Sequence, residues 1–417
     1  MSDGLSTEPY KGVRDFYPED WGRLQAMFTQ ARAVLGRWGY EEYNASPLER
    51  AELYESKGNE EIVNEQTYTF TDRGDRRVTL RPEMTPSLAR MVAAKRRELP
   101  LPLRWFSIGN RFRYERPQKG RLREFYQTDI DLVGLPEGEA DLEIIGLASD
   151  LLKSFGAKET DFSIRINSRP MLLRACELAG YTDKEGMRKY WQLLDKKAKM
   201  APEEFAAARG DGADPLSIIE AAEDEIVRKE KEKLTDLIKT LHARGVMNAV
   251  YDPEIVRGFD YYTGVIFEIF DTNPENARSL FGGGRYDGLV SLFGGDPIPA
   301  IGFAFGDVTF LDFLETHGYS LPIGQRPQVY IGTPSTEDQE TARLFAEKLR
   351  AAGVRVFLNL TGKGLGDQIK DAVKRDIPHF IAYGKNEAQA GEVRVKTLAS
   401  GEEVTTAASK VASIVTQ

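Results

Sequence analysis

The chain has 417 residues, 41% of them hydrophobic and 29% charged, and a net charge of −9. That length suits two or three domains with a full apolar core, and the composition excludes a disordered tail or a disulfide-stapled scaffold. One cysteine (Cys176) and three scattered histidines (His242, His317, His379) exclude an intrachain disulfide and a multi-Cys or multi-His metal site. No apolar run approaches the ~20 residues of a membrane span, and the N-terminus MSDGLSTEPYKG has no apolar signal core. A cytoplasmic protein of a reducing compartment is expected, with no membrane partner. The acid excess argues against DNA binding through bulk charge but permits a local basic patch.

In chain order, Leu24, Met27, Phe28, Ala31, Val34, Leu35 and Trp38 recur at helical spacing, which predicts a helix over 20–39 stopped at Gly39. Thr67 to Leu80 alternates around Asp72-Arg73-Gly74-Asp75, a hairpin signal. Thr85 to Ala94 resumes helical spacing, with Thr85 near the N-cap. Two strands, 104–113 and 123–133, flank the basic loop Glu115-Arg116-Pro117-Gln118-Lys119-Gly120-Arg121. A helix comes next over 139–155. Residues 182–245, rich in Ala, Lys and Glu, read as an inserted helical block broken at Gly210-Asp211-Gly212. Strands return at 265–270 and 278–284, and 299–315 reads as a Gly-rich turn and then a helix. Beyond a Gly/Pro-containing linker the pattern alternates strand and helix to the end of the chain, the mark of an α/β domain with a mostly parallel sheet.

Four segments concentrate polar groups beyond what a core needs. In Arg81-Pro82-Glu83-Met84-Thr85 a carboxylate and a hydroxyl two residues apart suit an ammonium group, though a helix cap is the plainer reading. Arg111 and Arg113 share a strand face, as do Gln127, Asp129 and Asp131 on the return strand. Arginine forks fit phosphates; a solvated hairpin is the plainer reading. Arg257 with Tyr261 and Tyr262, and the run Gly282-Gly283-Gly284-Arg285-Tyr286-Asp287-Gly288, set charge, aromatic rings and bare backbone side by side. The glycine run does not have P-loop or Rossmann spacing. These residues point to a pocket for a phosphate-bearing and a zwitterionic ligand.

Taken together, these segments resemble the histidyl-tRNA synthetases, class II aminoacyl-tRNA synthetases, over nearly the whole chain. The resemblance lies in Lys11-Gly12-Val13-Arg14-Asp15, Arg81 to Thr85, and Arg111 to Gln127 as motif 2. It continues in Val256-Arg257-Gly258-Phe259-Asp260-Tyr261-Tyr262 and Gly283 to Gly288 as histidine-specific motifs. It implies an α+β catalytic core with a mainly antiparallel sheet flanked by helices over 1–318, and a helical insertion at about 175–250. A linker at 319–326 and a C-terminal α/β anticodon-binding domain at 327–417 would complete the chain. The implied reaction activates L-histidine with ATP and Mg²⁺ to histidyl-adenylate, then acylates tRNA(His), in a homodimer joined through the 20–37 helix and its C-terminal neighbour segment.

By resemblance, Arg113 and Arg257 act on the α-phosphate. Glu83, Met84, Thr85, Gln127, Asp131, Arg257, Tyr261 and Tyr262 bind histidine. Arg113, Arg121 and Glu115 bind ATP, and Arg116, Gln118 and Lys119 meet the tRNA. Three positions depart from the family pattern: Asp131 stands where many members have Glu, Tyr126 where many have His, and Thr309 where motif 3 usually has arginine. The alternative is the regulatory subunit of ATP phosphoribosyltransferase, a catalytically silent relative that typically lacks the counterparts of Arg257 and of 327–417.

Overall fold

The computed structural model describes residues 5–55, 66–118, 120–194, 196–197, 200–210, 212–257, 261–276, 279–322 and 326–416. The chain divides into two compact units, Met1–Leu321 and Pro322–Gln417. In the first, strands β1 (Glu41–Glu42), β2 (Leu48–Arg50), β3 (Tyr68–Thr71), β4 (Arg77–Leu80), β5 (Leu103–Phe112) and β6 (Glu124–Val133) precede the helical block. β7 (Phe162–Ser168) leads into that block, and β8 (Ala249–Tyr251), β9 (Val265–Asp271), β10 (Ser279–Arg285) and β11 (Ala300–Gly306) come after it. Eight strands form one sheet in the order β1-β5-β6-β11-β10-β9-β7-β8. Only its two edge pairs, β1 with β5 and β7 with β8, are parallel. The fold class read from the sequence holds: a mainly antiparallel sheet flanked by helices. β2, β4 and β3 make a separate small sheet.

Helix Pro18–Arg37 starts with Pro18 at its first turn and Glu19 and Asp20 facing its unpaired N–H groups. Its apolar stripe packs inward: Leu24, Met27, Ala31, Val34 and Leu35 are 0% exposed and Phe28 3%. Burial contributes about 1.5–3 kcal/mol for each large apolar side chain. The stripe expected at a subunit interface is therefore consumed by the chain's own core. Helix Glu139–Ser154 packs against this helix and against β11.

The expected Gly-rich turn at 299–306 is instead β11, paired with β6 on one side and β10 on the other. Its glycines answer to space rather than to a turn. A Cβ on Gly302 would lie 2.4 Å from Asp131 Oδ1 and 2.5 Å from the Ile130 carbonyl. The Gly282-Gly283-Gly284 run is likewise strand, in β10.

The helical block comprises Lys184–Leu194, Pro202–Arg209, Pro215–Ala221 and Glu225–Ala243. Asp214 and Asp224 cap its last two helices, each accepting a backbone N–H two residues on. The second unit holds β12 (Val329–Gly332), β13 (Val356–Leu358), β14 (His379–Ala382), β15 (Glu392–Thr397) and β16 (Glu403–Ala407) in the order β13-β12-β14-β15-β16. The first three are parallel and the last two pairings antiparallel. Helices Gln339–Ala351 and Leu365–Lys374 connect the parallel strands. Among the described residues, no helix is long and apolar enough to cross a membrane.

Candidate active site

The β5–β6 hairpin is in register over its full length, with Gly109 opposite Gln127, Ser107 opposite Asp129 and Trp105 opposite Asp131. Alternation turns Gln127, Asp129 and Asp131 to one face. All three line a cavity of about 120 Å³. Glu83 and Thr85, at the start of helix Thr85–Ala94, form one wall, and Arg113 closes the hairpin side. Arg257, Tyr261 and Tyr262, from the segment between β8 and β9, line it as well. Gly282 of β10 and Gly302 of β11 supply bare backbone where a side chain would fill the space.

The nominated residues thus separate into two groups. Glu83, Thr85, Arg113, Gln127, Asp131, Arg257, Tyr261 and Tyr262 come together around one cavity. Met84 does not: it is 0% exposed and packs its sulfur against the Arg81 guanidinium, away from the cavity wall. Glu115, Arg116, Gln118 and Arg121 lie on the hairpin loop, outside the cavity lining. Arg121 meets Glu115 at 3.4 Å and is paired through its backbone with Gln118. Lys119 lies outside the described residues, as do Gly258, Phe259 and Asp260. Thr85 is the first residue of its helix rather than its cap, which falls at Met84. Its hydroxyl engages Tyr261 instead.

Two buried carboxylates dominate the electrostatics. Glu83 is 4% exposed and accepts the Tyr261 hydroxyl at 3.0 Å. Burial pushes its pKa up to about 7, against the pull of Arg113 and that hydrogen bond. Asp131 is 3% exposed, and the Tyr286 hydroxyl donates to its Oδ1. Burial, abetted by Asp129, lifts Asp131 to about 8 although Tyr286 and Arg111 favour the charged form. Its Oδ2 has no hydrogen-bond partner among the described residues, nor has Gln127 Oε1. Asp129 differs, because the fully buried Arg111 donates to it at 2.5 Å.

The cations face these groups. Arg257 donates from Nη1 to Glu268 at 2.5 Å and from Nη2 to the Gly282 carbonyl at 3.4 Å. Burial opposes its charge, but Tyr262 and Glu268 more than offset that and bind its proton tightly. Arg113 donates Nε to the Pro82 carbonyl at 3.0 Å and lies over the Phe125 ring, with no ion pair among the described residues. At the motif 3 position, Thr309 donates its hydroxyl to the Leu280 carbonyl at 2.9 Å. It gives the site no charge. Two pairings escape a reading of the sequence. Tyr286 stands in the glycine-rich segment singled out there, but its bond to Asp131 is made by packing across the sheet. Glu268, which anchors Arg257, stands in β9, where an acid carries no local signal.

Comparison with known proteins is consistent over both units. A family model described as histidyl-tRNA synthetase matches residues 12–308, and one described as anticodon binding domain matches 328–417. A histidine–tRNA ligase of Leptospira biflexa is 39% identical over 421 aligned residues, covering 96% of this chain and 95% of that protein. One from Thermococcus kodakarensis is 37% identical, covering 94% of each. The solved histidyl-tRNA synthetase of Nostoc sp. PCC 7120 shares the fold at a TM-score of 0.78 with 24% identity, over 99% of each chain.

Proposed function

Because the chain belongs to the histidyl-tRNA synthetase family, we propose that its cavity is where histidine is activated, by the residues that line it. The reaction is that of a histidine–tRNA ligase: ATP and histidine give histidyl-adenylate and pyrophosphate, and the histidyl group passes to tRNA. One observation carries the residue assignment. Two buried acceptors without a partner among the described residues, Asp131 Oδ2 and Gln127 Oε1, line the same small cavity as two arginines, Arg113 and Arg257. A zwitterion with an N–H-bearing ring satisfies the acceptors, and a phosphate satisfies the cations.

On these roles Glu83, Thr85 and Gln127 hold the ammonium group. Asp131 and Tyr262 read the imidazole, with Tyr261 beside them. An amino acid that leaves Asp131 unpaired forfeits about 1–3 kcal/mol, which gives selectivity. The histidine carboxylate attacks the α-phosphorus in line, and pyrophosphate leaves. Arg113 and Arg257 are pre-aimed at the charge that builds on the phosphoryl oxygens. The 3′-terminal hydroxyl of tRNA(His) then attacks the carbonyl carbon and AMP departs. Arg121 lies towards the outer phosphates, and Glu115, 3.4 Å from it, also binds ATP. No group of three His, Cys, Asp or Glu side chains suited to a metal occurs among the described residues. Mg²⁺, where bound with ATP, would screen the charge of the polyphosphate. The silent relative is disfavoured by the presence of Arg257 and of an anticodon-binding match at 328–417.

The two units make separable demands. The unit to Leu321 has a hydrophobic core of its own, as has the C-terminal unit. A protein ending at Leu321 is expected to keep histidine-dependent ATP–pyrophosphate exchange but to charge tRNA(His) far more slowly. Low salt should restore part of the loss, since phosphate contacts strengthen there. Lys363, Lys370, Lys374 and Arg375, all exposed, are the cations offered to the anticodon loop. Charging at the full-length rate by the truncated protein would contradict this division. A cytoplasmic homodimer completes the proposal. With helix 18–37 spent on the core, its support is the small sheet, where Leu48 and Phe70 are 43% and 49% exposed. Sedimentation at micromolar concentration should show twice the chain mass, and a monomer would contradict the dimer.

A further inference from the structure

One cross-strand pair beyond the cavity, the β5–β6 hairpin carries a second cluster. Arg113 lines the cavity, and its backbone N–H donates to the Arg123 carbonyl at 2.9 Å. The Arg123 guanidinium lies 4.0 Å from the Tyr114 ring centroid and 5.5 Å from that of Tyr10, and it donates to the Tyr10 hydroxyl at 2.9 Å. Tyr68 meets Tyr114 edge-on at 5.5 Å. Backbone bonds fix the same residues: Arg123 N–H to the Gly12 carbonyl at 2.7 Å, and Tyr114 N–H to the Gln66 carbonyl at 2.6 Å. Two rings are thereby held in place around one cation.

Held as they are, the rings are not buried. Tyr10 is 57% exposed and Tyr114 50%. Core packing does not account for them, and about half of each residue stays open to a partner. The surroundings specify that partner's charge. Between 113 and 124 the sequence places five cations (Arg113, Arg116, Lys119, Arg121, Arg123) against two carboxylates (Glu115, Glu124), in a chain whose net charge is −9. Arg116 is exposed, and the Arg121 side chain is 58% exposed. Exposed pre-set aromatic rings interleaved with arginines match the recognition of an unpaired polynucleotide, in which bases stack and phosphates pair with cations.

We propose that Tyr114 and Tyr10 form a stacking platform for an unpaired base near the 3′ end of the tRNA, holding that end while its terminal ribose enters the cavity. This rests on the ligase reading, which supplies a tRNA whose 3′ hydroxyl must reach the activated histidine. The platform lies beside Arg113, so the strand would pass from the exposed rings to the cavity along the hairpin. The rings add affinity without reading sequence, because every base has a π-face.

The test uses the full chain and two readouts, ATP–pyrophosphate exchange with histidine and charging of tRNA(His), over a range of salt. Tyr114→Leu should lower kcat/KM for tRNA roughly tenfold, within the range of one lost base–aromatic stack. Its exchange rate should stay at the wild-type value. The lost factor should be the same at every salt concentration, because stacking releases no counterions. Arg116→Ala should instead flatten the log–log salt dependence, by about 0.7–0.9 for one phosphate contact. Tyr114→Phe and Tyr114→Trp should charge as wild type. Wild-type charging by Tyr114→Leu would overturn the platform. So would an equal loss in Tyr114→Phe, which would assign the role to the hydroxyl, or a parallel loss of exchange, which would make the ring a packing element of the hairpin. Wild-type protein that supports neither exchange nor charging would remove the ligase reading itself, an outcome separate from these.

Discussion

Replacing Arg257 by alanine is expected to slow histidine activation at least ~100-fold, about 2.7 kcal/mol of barrier, while histidine binds nearly as before. The guanidinium is fixed by Glu268 and the Gly282 carbonyl and is only 17% exposed. It is therefore pre-aimed and needs no reorganisation when charge builds at phosphorus. The substitution also leaves Glu268, 18% exposed, without its counter-ion, so part of any loss can come from stability. Arg257→Ala combined with Glu268→Gln separates the two. If the arginine is structural only, the double variant recovers both melting temperature and exchange rate. If it acts on the transition state, stability returns and the rate does not. Single-turnover adenylation with saturating histidine is the measurement, and near-normal turnover in Arg257→Ala would contradict the role.

Asp131→Ala should raise KM for histidine by at least about tenfold, in keeping with the ~1–3 kcal/mol of a buried hydrogen bond lost on one side. The pH dependence is more diagnostic. In the empty site burial holds the Asp131 carboxyl up at about 8 and Glu83 at about 7. Both acceptors are thus partly protonated near neutrality, and kcat/KM for histidine should rise with pH between about 6.5 and 8.5. Tyr286→Phe removes the hydroxyl that stabilises the Asp131 carboxylate. The rise should therefore move to higher pH, with little effect once the carboxylate is fully ionised. Asp131→Ala should lose the upper part of the rise. Stability responds in the opposite sense, because a carboxyl whose folded pKa lies above its unfolded ~3.9 binds more protons when folded. These two groups make the empty protein less stable as pH rises from about 4 through 8. An unchanged KM in Asp131→Ala would show that the carboxylate does not read the imidazole.

The hairpin is the most legible part of the site. Its strands alternate strictly, so Gln127, Asp129 and Asp131 fall on one face from spacing alone, and the cavity lies there. Spacing does not say which of two carboxylates is already paired. Arg111 neutralises Asp129, while Asp131 Oδ2 has no partner among the described residues, a distinction set by packing between β5 and β6. β11 reads as a turn in the sequence because Gly302 and Gly306 look like breakers. In the sheet the glycine at 302 is required by a neighbour, the Asp131 carboxylate that a Cβ would strike. The stripe on the first helix is where its spacing puts it, but periodicity does not tell a core face from an interface, and here the core takes it. β16 gives no signal, because Glu403, Val404 and Thr405 are all exposed and so leave no apolar alternation.

The most direct test of the central claim is ATP–pyrophosphate exchange by the purified full-length protein, run with each amino acid in turn. The account expects exchange with histidine well above that with any other amino acid, and then transfer to tRNA(His) when the RNA is added. Histidine binding without exchange would contradict it and would place the chain with the catalytically silent relatives.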